Sequence, residues 1–551
     1  MFERHIINLL KKEIKQDVIL ETPPSGEFGD YAFPCFQLAK IYRKSPVQIA
    51  EELAKKFEPD DYIAKVKPVG PYINFFVNRQ KFIEVTLKQL LKEGPQYGSS
   101  NEGRKKRIVV EHTSINPNAA PHVGRARGAI IGDFIASIMR FHGYKVDVHY
   151  FVNDIGKQIA MLVYACGKKK VSFDRLLDKY VEINKKLKEN PGIEAEILGL
   201  LNRLEKGDKS VLRQFRRIVN ICVNGQKSIL ASLGIHYNFF DYESDFIKNK
   251  SVEKILGMLH TKKEFFKDEH GRMVLDQSEL ANEMRAPYLV LARSDSTSLY
   301  PLRDLAYTVH KLKLSPMNYV LLGEDQKLYF KQISSALSLL GFASPKAIHY
   351  SHILLKEGRM STREGNLVLL TELMDKAFKK ASVEIKKRKY VTFSKSLALQ
   401  IGYGAVKYSI LKISPEKNVI FDWDTALSFE GEASPYIQYS YARASSILRK
   451  AKLKPSKADF RLLSHEAEYL LVKKLGDFPE TSKKALSDLK PNNIAKYAYE
   501  LSQLFNEFYH SCQCISGDRK LTSARLSLVR ASRTVIKSCL GLLGIAAPEK
   551  M

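Results

Sequence analysis

Chemistry concentrates in Glu111 to Gly128, where Pro121, His122, Gly124, Arg125 and Arg127 fall within one short stretch. An apolar run, Arg107 to Val110, precedes it, and Ile130, Phe134, Ile138 and Phe141 follow at helical spacing. This reads as strand, loop, helix. The first helical turn has backbone N–H groups without intrahelical partners, so Pro121, His122 and Gly124 would form a site for anionic oxygens. Gly124 lets a phosphate or purine approach the backbone, His122 adds a donor, and Arg125 lies on the same face. Taken alone, a His-X-Gly at a helix start is more often a turn with an ordinary surface histidine. Its company decides the reading.

That company is a second loop, Lys356 to Asn366, in which Gly358 and Gly365 bracket Arg359, Met360, Ser361, Thr362 and Arg363 after a strand-like run. Loops of this kind close basic and hydroxyl groups over a triphosphate, whose transfer needs mainly positioning and charge neutralisation. A solvated basic hairpin is the plainer alternative. Between the two loops, Tyr300 and Asp304 are four residues apart and share a helix face, with Tyr307 a turn further on. A carboxylate beside a phenol can seat a guanidinium, although an acid at a helix start is favoured by the macrodipole alone.

The elements around these residues follow from composition and pattern. With 551 residues, of which 44% are hydrophobic, the chain holds several cores. No run of about 18 apolar residues suggests a membrane span, and the mixed N-terminus does not read as a signal peptide. Lys and Arg number 88 against 60 Asp and Glu, for a net charge of +28, which points to a polyanionic partner, nucleic acid first. The six scattered cysteines, Cys35, Cys166, Cys222, Cys512, Cys514 and Cys539, suggest reduced cytosolic thiols and no zinc site.

Residues 1–100 read as a small α+β domain, with helices over Phe2 to Ile19 and Phe36 to Phe57 and strands over Ile63 to Lys67 and Tyr72 to Asn78. Residues 107–395 read as an α/β, Rossmann-like parallel-sheet domain. Its second strand, Val146 to Val152, ends in polar Asn153 to Gln158, where open α/β sheets place ligands. A charged helical insertion at about 167–271 interrupts the sheet, which is expected to resume with strands at Leu289 to Arg293, Tyr319 to Leu322 and Ile348 to Ile353 and helices at Leu302 to Leu312 and Tyr329 to Leu340. Residues 396–551 read as a basic, all-α helical bundle.

Taken together, Asn116-Pro117, Pro121-His122-Val123-Gly124, Ala126-Arg127-Gly128, Tyr150 to Gln158, Arg303-Asp304-Leu305-Ala306-Tyr307 and Met360 to Arg363 resemble the motif set of the class I arginyl-tRNA synthetases. Gly29 to Ala32 and Gly70 to Phe75 resemble that family's N-terminal additional domain. Pro435 to Tyr439, Ala442-Arg443, Phe505 to Tyr509, Arg525 to Val529 and Ala547 to Met551 resemble its anticodon-binding domain.

The resemblance implies an enzyme that joins L-arginine to ATP, with Mg²⁺, as arginyl-adenylate and passes it to the 3′ end of arginine tRNA. It implies a cytoplasmic, monomeric protein. His122, Gly124 and Arg125, with Pro121, would hold adenosine and phosphate, and Arg359 to Arg363 the pyrophosphate. Glu111, Ser114 and Asn116 would hold arginine's amino and carboxylate end, and Tyr300, Asp304 and Gln326 its guanidinium. Asn74, Tyr436, Gln438, Arg443 and Met551 would touch tRNA.

Two places depart from the family pattern: Arg125 stands where a second histidine is usual, and Thr362 where a lysine is, with Ala119 rather than a compensating lysine upstream of His122. A class I enzyme of other specificity and a non-catalytic tRNA-binding paralogue remain alternatives. The charge excess predicts that affinity for tRNA falls steeply as salt rises, because each phosphate contact releases counterions. A titration at several salt concentrations checks this; a flat response would mean that the positive surface serves another purpose.

Overall fold

The computed structural model describes residues 2–205, 207–283, 287–295, 297–355, 368–387, 393–451 and 458–551. They form two compact units, Met1–Tyr97 with Ser440–Pro479 and Glu500–Lys537, and Gly98–Tyr439 with Glu480–Tyr499 and Ser538–Met551.

In the first unit, strands β1 (Tyr31–Pro34), β2 (Ile63–Val69) and β3 (Tyr72–Val77) form an antiparallel sheet in the order β1-β3-β2. The four-residue β1 was not visible in the sequence. Ser45 does start a helix, Pro46–Ala54, through a capping box with Gln48. The expected helix over Phe36 to Phe57 is instead three short pieces, because Pro46 has no N–H to continue an earlier helix. Phe2–Glu13 is shorter than its expected extent to Ile19, and a further helix, Arg79–Glu93, begins under an Asn78 cap. The Asp30 carboxylate accepts from Val77 N (3.0 Å), Tyr469 Oη (3.1 Å) and Lys473 Nζ (2.6 Å), tying this sheet to the Glu466–Gly476 helix.

The second unit is built on a parallel sheet. Its strands β4 (Arg107–Glu111), β5 (Lys145–Val152) and β6 (Phe239–Tyr242) run outward to one side. Strands β7 (Phe265–Lys267), β8 (Met273–Asp276) and β9 (Tyr288–Ala292) then form a separate antiparallel sheet, after which β10 (Asn318–Gly323) and β11 (Lys346–Tyr350) complete the first, in the order β11-β10-β4-β5-β6. The chain therefore reverses direction across the sheet between β4 and β10. Ligands of open α/β sheets sit at such a switch point, beyond the strands' C-terminal ends. Glu111 closes β4, and Glu324–Gln326 follows β10.

Two expectations are corrected here. The run at Leu289 to Arg293 is β9, and it does not resume the parallel sheet. Asp268 and Gly271 turn β7 back onto β8, and the following strand extends that hairpin. The region of about 167–271 is largely helical, yet its β6 is an edge strand of the main sheet. A lone apolar run does not specify which strand it will pair with.

Past β11, β12 (Ile353–Leu355) pairs in parallel with β13 (Val419–Phe421), so residues beyond 395 still contribute a strand. Helix Val123–Phe141 organises this region through Arg127, which is fully buried. Its guanidinium donates to the carbonyls of Ser351 (2.6 Å), His352 (3.2 Å), Ser414 (3.1 Å) and Lys417 (2.7 Å). Burial lowers its pKa to about 10, so it remains charged at neutral pH. Gly128 lies against Tyr350, where an added Cβ would fall 2.7 Å from the hydroxyl.

The five terminal helices, Ser434–Lys450, Glu466–Gly476, Phe478–Asp488, Pro491–Ser511 and Arg519–Leu542, form the mostly helical C-terminal region. All six cysteines are buried and unbridged.

Arg127→Met should lower stability by about 2–4 kcal/mol, since it removes a buried guanidinium and leaves four buried or part-buried carbonyls without that donor. Arg127→Lys should restore little, because an ammonium lacks the planar fork. Thermal unfolding of both variants is the check, and an unshifted transition in Arg127→Met would show that other donors replace the guanidinium.

Candidate active site

The loop after β4 is strained and internally braced. Thr113 and Ser114 both have positive φ, 79° and 42°, an uncommon conformation for non-glycine residues and most of all for β-branched threonine. Thr113 Oγ1 bonds to the His112 ring (2.7 Å) and to Tyr237 Oη (2.6 Å), which helps hold the turn. Ser114 Oγ donates to Glu111 (3.3 Å) and accepts from Phe151 N (3.3 Å). Gln158 accepts from Asn116 (3.3 Å) and Asn118 (3.0 Å), so the Tyr150 to Gln158 motif and this loop meet. Gln226, from helix Lys209–Ser232, adds donors to the carbonyls of Asn116 (3.1 Å) and Ala119 (2.9 Å).

His122 caps the helix that follows, with Arg125 N donating to its carbonyl (3.0 Å). Burial and then the Arg125 charge pull its pKa down to about 4, so its imidazole is neutral at pH 7 and can donate one N–H. Gly124 is open toward the His122 ring: a Cβ there would meet the ring at 3.1 Å. Arg125 lies within electrostatic reach of the Tyr350 hydroxyl at the end of β11. Tyr350 was not among the expected site residues, because nothing in its local sequence marks it.

Residues Arg359 to Arg363 lie outside the described residues. The segments flanking them are placed. Arg127 holds Ser351 and His352 just before β12, and after the loop Val368 O accepts from Val123 N (3.1 Å) while Leu370 N donates to Pro121 O (2.8 Å). Both ends of the second loop are therefore fastened to the start of the His122 helix.

An acidic, partly buried cluster adjoins the switch point. On helix Tyr300–Leu314, Asp304 accepts from Tyr329 Oη (2.8 Å) and Thr308 Oγ1 (3.5 Å), and the Tyr300 and Tyr329 rings are 5.5 Å apart. Burial pushes the Asp304 pKa up to about 6, with Lys311 opposing the rise and Glu111 adding to it. Glu111 thus lies within electrostatic reach of Asp304. It forms an ion pair with Lys311. Tyr307 stacks on Phe151 (centroids 4.4 Å apart) and donates to Asp241 (3.0 Å), so its hydroxyl is directed away from Asp304. Gln326 is half-buried one turn before Tyr329.

The sequence reading missed Glu243. It is fully buried, pairs with Arg303 Nε (2.5 Å) and, with the Asn153 amide turned to donate, accepts from Asn153 (2.8 Å). Desolvation raises its pKa to about 7 against the pull of Arg303. No local signal distinguished it from other charged residues of its segment.

Among the residues expected to touch tRNA, Asn74 and Gln438 are buried. Asn74 is 3% exposed and donates to Phe28 O (2.7 Å); Gln438 is 0% exposed and donates to the carbonyls of Gln400 (3.2 Å) and Ala546 (2.8 Å). Each braces its own unit. Tyr436, half-buried beside Tyr499, and Met551 are partly accessible. So is Arg443, which bonds to Asn506 (2.6 Å) and lies over the Tyr509 ring (4.7 Å).

Family models match the chain along its length: the arginyl-tRNA synthetase N-terminal domain over residues 1–77, the class I (R) tRNA synthetase catalytic domain over 86–423, and the DALR anticodon-binding domain over 437–551. The arginine–tRNA ligase of Methanocaldococcus jannaschii is 37% identical over 99% of both chains, and that of Methanocella arvoryzae 39% identical over 94% of this chain and 92% of its own. The arginyl-tRNA synthetase structure from Thermus thermophilus superposes with a TM-score of 0.83 at 27% identity, covering all of both chains. With those relatives matched from end to end and a doubly wound sheet carrying the His122 loop at its switch point, the chain belongs to the class I arginyl-tRNA synthetases.

Proposed function

We propose that this protein activates L-arginine with ATP to arginyl-adenylate and pyrophosphate, and then transfers the arginyl group to the 3′ end of arginine tRNA. The observation that carries this reading is the pocket of Asp304, Tyr300, Tyr329 and Glu111 beside the His122 loop. A guanidinium stays charged at every physiological pH, so its pocket needs a carboxylate, and a planar fork suits one carboxylate flanked by phenols. Gln326, one turn before Tyr329, would join them at the guanidinium, and Ser114 and Asn116 on the adjoining loop would take the amino and carboxylate end.

Pro121, His122, Gly124 and Arg125 would receive adenosine and the α-phosphate at the helix N-terminus, where charge developing on the phosphate is stabilised. Arg359, Met360, Ser361, Thr362 and Arg363 would close on pyrophosphate, since their loop is fastened at both ends to that helix. Arg125 would supply a positive charge where a histidine is usual. Mg²⁺ would arrive on the ATP phosphates, as it keeps several waters and needs few protein ligands. Among the described residues, no three His, Cys, Asp or Glu side chains converge to cage it.

Residues 1–100 and 396–551 are proposed as the tRNA-binding parts, the latter reading the anticodon, with 107–395 as the catalytic domain. Tyr436, Arg443 and Met551 are the proposed contacts. A monomeric, cytoplasmic enzyme fits this role, and no helix among the described residues is long and apolar enough to cross a membrane.

Charging of arginine tRNA with labelled arginine, against the other amino acids, tests the reading directly; tight tRNA binding with no adenylate formed would favour a non-catalytic paralogue. Asp304→Asn should weaken arginine use by roughly 2–4 kcal/mol, read as a rise in KM for arginine with little change for ATP. Because arginine pairs with the ionised carboxylate, its KM should climb as pH falls through about 6, where Asp304 takes up a proton. An acid-insensitive KM would refute the pocket assignment. Arg125→Ala should slow adenylate formation by about a hundredfold, and pyrophosphate exchange at the wild-type rate would remove Arg125 from the phosphate site.

A further inference from the structure

The arginine pocket contains a cation that the proposed reaction does not use. Lys311 lies seven residues after Asp304, two helical turns, and therefore on the same face of helix Tyr300–Leu314. It is 3% exposed. Its ammonium is ion-paired with Glu111 from β4 and lies 4.2 Å from the centroid of the Tyr307 ring. Its own carbonyl accepts from Asn318 (3.1 Å) at the start of β10, which fixes the helix at this point. A buried lysine with one carboxylate, one aromatic face and no route to solvent is held, and removal of one member of such a pair is costly.

The charges around it define what it does. Asp304 has Glu111 across from it on β4, and Glu243 approaches from helix Glu243–Lys248. Glu243 is already paired with Arg303. Asp241 of β6 is engaged by His149 of β5 (2.7 Å) and by Tyr307, with His310 nearby. Tyr329, from helix Lys327–Leu339, is a neutral donor to Asp304. Once these pairs are set aside, Lys311 is the cation that remains with Glu111 and Asp304 among the described residues. The three together carry a single negative charge, the complement of one guanidinium.

We propose that Lys311 is a positioning residue for arginine recognition: an internal counter-ion that fixes Glu111 and offsets its charge, leaving Asp304 as the carboxylate available to the substrate's guanidinium. This inference rests on the arginine-activating reading. Without the ammonium, Asp304 faces Glu111 unscreened and holds its proton to higher pH, because two neighbouring carboxylates disfavour double ionisation. The cation therefore sets the pH at which the pocket becomes competent.

The test is arginine affinity by calorimetry on the full chain with arginine tRNA bound, from about pH 5 to about pH 9, for wild type, Lys311→Met and Lys311→Arg. Wild type should lose affinity on the acid side of about pH 6. In Lys311→Met that limb should move up by about one pH unit, so that affinity drops roughly tenfold at about pH 5 and roughly twofold at neutral pH and recovers toward wild type in alkali. Lys311→Arg keeps the charge, so its limb should stay at the wild-type pH even if the bulkier group weakens binding throughout. A folded Lys311→Met whose limb coincides with wild type overturns the proposal, and a uniform loss of affinity at all pH values would assign Lys311 to packing alone. If wild type itself binds no arginine, the functional reading falls first and this inference with it, an outcome distinct from an unmoved limb.

Discussion

The catalytic unit depends on one buried guanidinium. Arg127 satisfies four carbonyls from two chain segments more than two hundred residues away along the sequence, and among the described residues it has no ion-paired carboxylate. Carbonyl dipoles converging on a delocalised cation replace its lost hydration while occupying acceptors that would otherwise be orphaned. The consequence is geometric. The segments that enter β12 and β13 are fixed to the helix that begins at His122, and Gly128, one residue on, lets Tyr350 pack against the same helix and reach Arg125.

Around the switch point, charge is arranged in nested pairs. Arg303 compensates Glu243, Lys311 compensates Glu111, and His149 with Tyr307 engages Asp241. Asp304 is left with neutral hydroxyl donors. Its raised pKa reflects desolvation of the carboxylate, and in the proposed reading a bound guanidinium would supply the missing charge. The strained Thr113–Ser114 turn belongs to the same arrangement, since the bonds to His112, Tyr237 and Phe151 hold a conformation the residues themselves disfavour.

The acidic pocket also reconciles a strongly basic protein with a cationic substrate. A net charge of +28 draws a polyanion to the surface, yet would oppose arginine unless the binding site were locally negative and sheltered from that field. Burial provides the shelter, because charges inside the unit interact mainly with their immediate neighbours.

By itself, the sequence determined the local units: a strand, loop and helix around His122, the shared face of Tyr300 and Asp304, and the Ser45 cap. Periodicity, capping and turn chemistry act over one or two helical turns, so they are written in neighbouring residues. The resemblance carried by the ordered motifs supplied the family. Tertiary structure alone decided that β9 joins β8 and that β6 closes the main sheet, because an apolar run does not encode its partner. It alone turned Asn74 and Gln438 inward and brought Glu243 to Arg303 and Lys311 to Glu111, pairs 60 and 200 residues apart. Such contacts exist only once the chain returns on itself, and they set the charge of the pocket that the local motifs merely border.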